Sequence, residues 1–350
     1  MKIGERVTPT GILVAPSDIP EDEWLALRKT GIGGSDAGAL LGMDRYMSPS
    51  HLYLDKIGEL PDFPRSEALE KAAKWGHIHE PALAAEFARI HGFRVRRIGL
   101  LRHQDRPWQL ANLDRQVVGC PDGPCLFEAK SRSAYKADEW GPSGSEDGVP
   151  DTEALQTHHY IAVTGYGHAH VGVLINGNDD RYYRIDADPQ LAADLTAMEE
   201  SFWQRIIDRD PPPMGTHAAL AELMNAMWAG SEEARLEVDT ATVEPLLAER
   251  ARLKALVADT ETEIGGVETQ MKALLGDHEI AVGADGLPLY TWKRNGNLAT
   301  KRFREAHPDL AAKYTHLVPV IDTAALAEGH PDEYRDSRAR VLRISRGRAA

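Results

Sequence analysis

The sequence predicts a mixed α/β domain over residues 1–213, followed by a helical, partly coiled-coil extension. Three observations carry this reading. Up to the Pro211-Pro212-Pro213 run, segments with helix signals and short apolar strand-like runs follow in the order helices, three strands, helix, two strands, helix. The prolines then punctuate the chain. Beyond them, Leu246, Leu253, Val257, Thr260, Ile264, Val267, Met271 and Leu274 fall on a stripe of threes and fours, with Arg250 interrupting it.

Residues 1–20 carry Pro9, Pro16 and Pro20 and read as irregular. Glu21-Asp22-Glu23 places acids in the first turn of a helix that reaches Arg28. Thr30 to Asp36 is a glycine-rich break, with Ser35 or Asp36 expected to cap a helix over 37–41. Ser48-Pro49 opens a third helix. Residues 65–91 look helical but contain Pro81, which has no N–H, so a break near 76–80 and a fresh helix starting at Pro81 are expected. Strands are expected at 93–104, 109–119 and 124–132, the last two forming a hairpin about Gly119–Pro124. A polar loop over 143–150 leads to a helix capped by Asp151 or Thr152 and ending near Thr164. Strands at 167–176 and 180–187 and a helix to 208 complete the domain. Residues 214–240 read as a linker with a short helix. Residues 241–276 read as a coiled coil, or as a helical hairpin turning at Gly265-Gly266. Residues 277–350 form a small basic region with a strand pair.

Composition is that of an ordinary globular protein of 350 residues. No apolar run approaches the ~18 residues of a membrane span, and the start lacks a signal-peptide pattern. A cytoplasmic protein with no membrane partner is expected, in a bacterial or phage-infected cell. A net charge of −14 argues against coating nucleic acid by bulk attraction. It leaves room for a locally basic groove, because screening confines each charge to ~8–10 Å. Cys120 and Cys125 both lie at the hairpin turn. Inert, reduced thiols are the expectation in such a compartment. Two are too few for a Cys₄ iron–sulfur cluster.

The hairpin carries the chemistry. Glu128 and Lys130 are two apart and share a strand face. Folding about the turn brings Asp114 roughly opposite Glu128, with Cβ atoms ~5 Å apart. Carboxylates crowded in this way repel unless a cation sits between them. Hard oxygen ligands suit Mg²⁺, with Mn²⁺ as a substitute. A lysine beside such an ion can orient a water or neutralise developing charge. Glu80 is a helical carboxylate that could join the ligand set. Gln156 and Tyr160 are four apart and share a helix face, while His158 and His159 between them read as polar surface or satisfied buried imidazoles. His77 and His79 make poor zinc ligands, because residues two apart on a helix diverge. Arg28 with Gly31-Ile32-Gly33-Gly34-Ser35 is a candidate phosphate nest. Two basic clusters, Arg94/Arg96/Arg97/Arg102 and Trp292-Lys293-Arg294 with Lys301, Arg302 and Arg304, could track a phosphate backbone.

Taken in order, Arg28…Gly31-Ile32-Gly33-Gly34-Ser35-Asp36-Ala37, Trp75-Gly76…Glu80, Asn112-Leu113-Asp114, Glu128-Ala129-Lys130 and Gln156…Tyr160…Val163-Thr164-Gly165 resemble the phage lambda exonuclease / YqaJ-type recombinase family of PD-(D/E)XK nucleases. The resemblance implies a restriction-endonuclease-like core with a central mixed sheet flanked by helices. It implies Mg²⁺-dependent DNA hydrolysis, 5′→3′ on duplex ends. Asp114, Glu128 and Glu80 would hold the metal, Lys130 would act on the attacking water, and Gln156 would support them. Arg28, Ser35, Asn112 and Tyr160 would contact phosphate or DNA. A single-strand annealing partner and a homotrimeric ring are the implied associations. Two positions depart from the family pattern: Arg115 follows Asp114 where glycine is usual, and His158 stands where a second glutamine is common. Two other readings remain open, a RecB-like repair endonuclease or nickase and a non-catalytic DNA-end or annealase-binding scaffold.

Overall fold

The computed structural model describes residues 2–62, 67–145, 147–228, 235–316 and 319–338. The chain divides into two compact units, Met1–Ala229 and Gly230–Ala350. The first unit contains β1 (Gly11–Ala15), α1 (Glu21–Arg28), α2 (Gly34–Leu40), α3 (Pro49–Ile57), α4 (Glu67–His91), β2 (Arg94–Arg96), β3 (Leu100–His103), β4 (Leu110–Asn112), β5 (Arg115–Val118) and β6 (Cys125–Arg132). It continues with a 3₁₀ turn (Ala134–Glu139), α5 (Asp151–Thr164), β7 (His168–Ile175), β8 (Asp179–Asp186), α6 (Pro189–Asp208) and α7 (Leu220–Met227).

A five-stranded mixed sheet in the order β2-β5-β6-β7-β8 forms the centre. Only β6 and β7 run parallel, and α5 lies in the crossover such a pair requires. Leu126 and Phe127 point to opposite faces of β6, yet both are fully buried, because helices cover both faces. On one face α4 packs Leu83, Ala84 and Phe87 onto Val117, Cys125 and Phe127. The Phe87 and Phe127 rings stack at 4.4 Å. On the other, α5 sets Tyr160, Ile161 and Val163 against Leu113, Leu126 and Ala169. A second sheet, β1-β3-β4, lies beside the first.

Several local expectations need correction. The chain forms β1 within the segment expected to be irregular; the prolines flank Gly11–Ala15 rather than enter it. The two long strands expected at 93–104 and 109–119 are each split, and their halves join different sheets. The second split falls at Leu113-Asp114, so Asp114 sits where the chain passes from one sheet to the other. Helix α4 runs through Pro81 without ending. Burial of Leu83, Ala84 and Phe87 just beyond it compensates for the missing backbone bond. The cap of α2 is Gly33, not Ser35 or Asp36, and that of α5 is Pro150, not Asp151 or Thr152.

In the second unit, α8 (Thr240–Leu275) is one continuous helix, so the chain does not turn back at Gly265-Gly266. Two glycines cost about 2 kcal/mol in a helix; Glu249–Arg252 and Glu268–Lys272 pairs on the exposed surface favour continuation. The stripe residues Leu246, Val257, Ile264, Val267 and Leu274 are exposed along it. Strands β9 (Ile280–Val282) and β10 (Pro288–Thr291) pair antiparallel, and among the described residues four short helices follow. Among the described residues, no helix is long and apolar enough to cross a membrane.

Candidate active site

The register of β5 and β6 pairs Arg115 with Phe127. One step further along this antiparallel ladder sets Asp114 across from Glu128. Asp114 is fixed by its own hydrogen bond, with Oδ2 accepting from the Ala129 amide at 2.7 Å. Glu128 is buried, and its Oε1 accepts from Lys130 Nζ at 2.9 Å and from Gln156 Nε2 at 2.8 Å. The Gln156 Oε1 in turn accepts from Lys130 Nζ at 2.7 Å, and its Nε2 also donates to the Tyr160 hydroxyl at 3.1 Å. Four predicted residues, Glu128, Lys130, Gln156 and Tyr160, are thus joined in one network, with α5 presenting an amide clamp to β6.

The electrostatics are unbalanced. Burial, then the neighbouring Glu128 charge, pushes the Asp114 carboxyl well above its usual range. Burial likewise raises the Tyr160 hydroxyl, with Glu128 adding to it. The second carboxylate oxygen of Glu128, Oε2, is buried and has no hydrogen-bond partner. A buried carboxylate oxygen without a partner costs several kcal/mol unless a cation meets it. The donor set here is two carboxylates of hard oxygen, which fits Mg²⁺ or Mn²⁺ rather than a soft metal.

Glu80 faces the hairpin, where arginines meet it. Its Oε1 is bonded by the Arg115 guanidinium and by Arg97 at 3.1 Å. The bulky Arg115, where the family pattern has glycine, thus bonds one oxygen of the carboxylate expected to bind metal. Asn112 is exposed in β4, two residues ahead of Asp114. His158 lies near Asp188 at the start of α6 and so does not extend the Gln156 clamp.

The glycine-rich segment lies against this cluster. A Cβ built at Gly34 would stand 2.5 Å from the Tyr160 ring and 3.0 Å from the Gln156 side chain; one at Gly31 would stand 2.2 Å from the Trp108 carbonyl. Only glycine permits both approaches. Arg28 NH2 donates to Ser35 Oγ at 2.9 Å and to Asp36 at 3.2 Å, and its guanidinium lies 5.0 Å from the centre of the Trp24 ring. The nest itself is partly filled from within, because Asp36 Oδ2 accepts from the Gly33 amide at 2.8 Å and from Lys56 at 2.6 Å. Burial opposes ionisation of Asp36, but Lys56 and Arg28 outweigh it and hold the carboxyl below its usual range. Arg28, partly exposed, and Ser35, exposed, are left as the candidate phosphate-binding pair.

Sequence reasoning missed a buried network behind the site. His159 Nδ1 lies 2.7 Å from Glu199 Oε1, and its Nε2 donates to the Leu110 carbonyl at 2.8 Å. Both nitrogens face oxygen atoms that can accept, an arrangement that favours the imidazolium. Burial works against that charge, and Glu199 overcomes it to raise the His159 pKa. Gln109 completes the pair by donating to Glu199 Oε2 at 2.6 Å. The partners are forty residues apart, and only their apolar surroundings could have hinted at burial.

Two solved structures resemble the fold. The alkaline exonuclease LHK-Exo of Laribacter hongkongensis matches with a TM-score of 0.44 at 19% identity, covering 54% of this chain and 94% of that one. The same protein in complex with dAMP matches with a TM-score of 0.44 at 20% identity and the same coverage. The family model of the YqaJ-like viral recombinase domain matches residues 23–167, the stretch that contains Arg28, Asp114, Glu128, Lys130 and Gln156. The uncharacterized protein YqaJ of Bacillus subtilis (strain 168) is 30% identical over 308 residues, 86% of this chain and 93% of that protein. On that identity and coverage, the chain belongs to the YqaJ-like viral recombinase family.

Proposed function

We propose that this chain is a metal-dependent deoxyribonuclease with a PD-(D/E)XK-type site, acting 5′→3′ on duplex DNA ends in a phage-type recombination system. The observation that carries the reading is the buried, unpartnered Glu128 Oε2 beside Asp114, whose carboxyl is pushed above its usual range by burial and the Glu128 charge. Asp114 and Glu128 would hold Mg²⁺, with Mn²⁺ able to replace it. When bound, the ion supplies Lewis-acid polarisation and a more acidic water.

The remaining work falls to the chain's own groups. Lys130 spends two donors on Glu128 and Gln156 and keeps a third for an incoming water or a phosphate oxygen. Gln156 fixes the lysine and the carboxylate relative to each other, so neither must reorganise as charge develops. Arg28 and Ser35 would receive a terminal 5′-phosphate, for which a guanidinium fork is suited. The same reading expects a single-strand annealing protein to take up the product strand. It expects a homotrimer as the working assembly, with the exposed stripe of α8 as a coiled-coil element.

A plasmid assay tests it. With Mg²⁺ the protein should degrade linear duplex and leave supercoiled circles intact, and Lys130→Ala should abolish cleavage while sparing DNA binding. Nicking of circles would point to an endonuclease instead. Binding without cleavage by the intact chain would leave only a scaffold, and turnover by Lys130→Ala at the wild-type rate would remove the lysine from the mechanism.

A further inference from the structure

A second cluster of metal-ligating side chains lies on the opposite face of the central sheet. Cys120 follows β5 in the hairpin turn, Cys125 opens β6, and His168 and His170 open β7. Parallel pairing sets Phe127 beside His170, so two residues back Cys125 falls beside His168. Residues two apart on a strand share a face, and Cys125, Phe127, His168 and His170 therefore all look toward the side that α4 covers. Phe87 of α4 meets both Phe127 and His170 there.

Each of the four residues offers one ligand atom, and these atoms all lie within 4.8 Å of one another. Tetrahedral zinc with bonds of about 2.0–2.3 Å needs ligand atoms about 3.3–3.8 Å apart. Cys120 Sγ and His168 Nε2 are already 3.3 Å apart, so closing the remaining gaps is a matter of side-chain adjustment. One of these side chains stands out: His170 Nε2 is buried and has no hydrogen-bond partner. A buried imidazole nitrogen left unpaired calls for an explanation, and a metal ion supplies one.

We propose that Cys120, Cys125, His168 and His170 bind one zinc ion, which ties the β5–β6 turn to the start of β7. The chemistry selects the metal. Two thiolates and two imidazoles in a closed set of four are the donors of a structural zinc site, with no position left for substrate. A [2Fe–2S] centre with two cysteines and two histidines places each pair on its own iron, whereas here the four atoms converge on one point. The hard cation of the carboxylate site is excluded by the soft sulfurs. Cys125 and Glu128 are three apart on β6, thus on opposite faces and about 10 Å apart along the strand, so the two sites are independent. The zinc clip would hold one end of the hairpin whose other end carries Asp114 and Glu128.

The test is metal content and ligation, not cleavage. The full chain, reconstituted with Zn²⁺ alone under reducing conditions, should hold one zinc per chain by elemental analysis, and the Asp114→Asn chain should hold the same amount, so the carboxylates are not being counted. Both thiols should resist a thiol reagent until zinc is released. Cobalt in place of zinc should give an intense tetrahedral d–d absorption and a sulfur-to-cobalt charge-transfer band. Cys120→Ser, at the least buried ligand, should weaken zinc binding by about 10-fold or more. Zinc-free protein with two reactive thiols in the folded state would overturn the proposal, as would stoichiometric iron or a Cys120–Cys125 disulfide. Because the cobalt spectrum of the unmodified chain reads sulfur ligation directly, a variant that fails to fold does not rescue or sink the proposal.

Discussion

Replacing Asp114 with asparagine separates stability from catalysis at the carboxylate site. The asparagine oxygen can still accept from the Ala129 amide, so the local geometry is retained. What disappears is a negative charge set across the strand pair from Glu128. At ~5 Å and an effective dielectric of ~20, that repulsion is about 3 kcal/mol. Lys130, bonded to Glu128 at 2.9 Å, offsets part of it, which leaves a net gain of about 1–2 kcal/mol for the metal-free protein. At about 2–4 °C per kcal/mol for a unit of this size, Tm should rise by about 2–8 °C. The sign depends on pH. Folding raises the Asp114 pKa, so its ionised form is disfavoured in the native state; the penalty is absent below the ordinary carboxyl value and grows as pH rises through the raised one. The gain should therefore be small at the ordinary carboxyl value, about pH 4, and larger at pH 8. Adding Mg²⁺ should reverse the order, since binding at a hundred times Kd stabilises the unmodified chain by about 2.7 kcal/mol and the variant not at all. Thermal melts with and without Mg²⁺ at the two pH values read all of this. A metal-free variant that melts at or below the unmodified chain at pH 8, or a Mg²⁺ shift shared by both, would refute the shared-cation reasoning.

Three further outcomes are expected. Arg28→Ala removes the guanidinium that bridges Ser35 and Asp36, and should reduce the preference for 5′-phosphorylated over 5′-hydroxyl ends by about 10-fold, the effect of about 1.4 kcal/mol; competition between the two ends would show an unchanged ratio if the pocket is assigned wrongly. Glu199→Gln leaves a buried imidazolium unpaired and should cost about 3–5 kcal/mol in urea melts. Because His159 has a raised folded pKa, the pair's contribution is whole below the usual histidine value and fades as pH rises through the raised one, so the variant's deficit should be larger at pH 6 than at pH 9; an equal deficit would deny the charged pair. Deleting residues 241–350 should leave metal-dependent cleavage in place, and a folded but inert truncation would make the extension part of the active unit.

How much of the site could be read from the sequence depended on the range of the signal. Glu128 and Lys130 follow from the two-residue period of a strand, and Gln156 and Tyr160 from the four-residue spacing of a helix; the network confirms both pairings. Asp114 was placed correctly opposite Glu128, but the strand around it was not. Leu113 is buried like a strand residue, so nothing local reveals that the chain changes sheet there. Pro81 misled because its local rule is strong, whereas the contacts that override it come from β5 and β6. Likewise, His159 with Glu199 and the two cysteines with His168 and His170 are joined only by tertiary packing. The cysteines read as inert because their histidine partners lie more than forty residues away.

Arg115 bears on how many carboxylates the proposed metal site could offer. Three carboxylates, Asp114, Glu128 and Glu80, act on the same neighbourhood, since both Glu128 and Glu80 raise the Asp114 pKa. Two cations answer Glu80, namely Arg115 from a nearly buried position and Arg97 from a more exposed one. Lys130 answers Glu128. Asp114 is left with a backbone amide and no partner cation in direct contact. Were residue 115 the glycine usual in the family pattern, Glu80 would lose its closest guanidinium, and a third carboxylate would be free to join the proposed ligand set. With arginine there, the proposed ligand oxygens would narrow to Asp114 and Glu128. The remaining coordination would then fall to water and to phosphate oxygens of the substrate, the ligands Mg²⁺ characteristically retains.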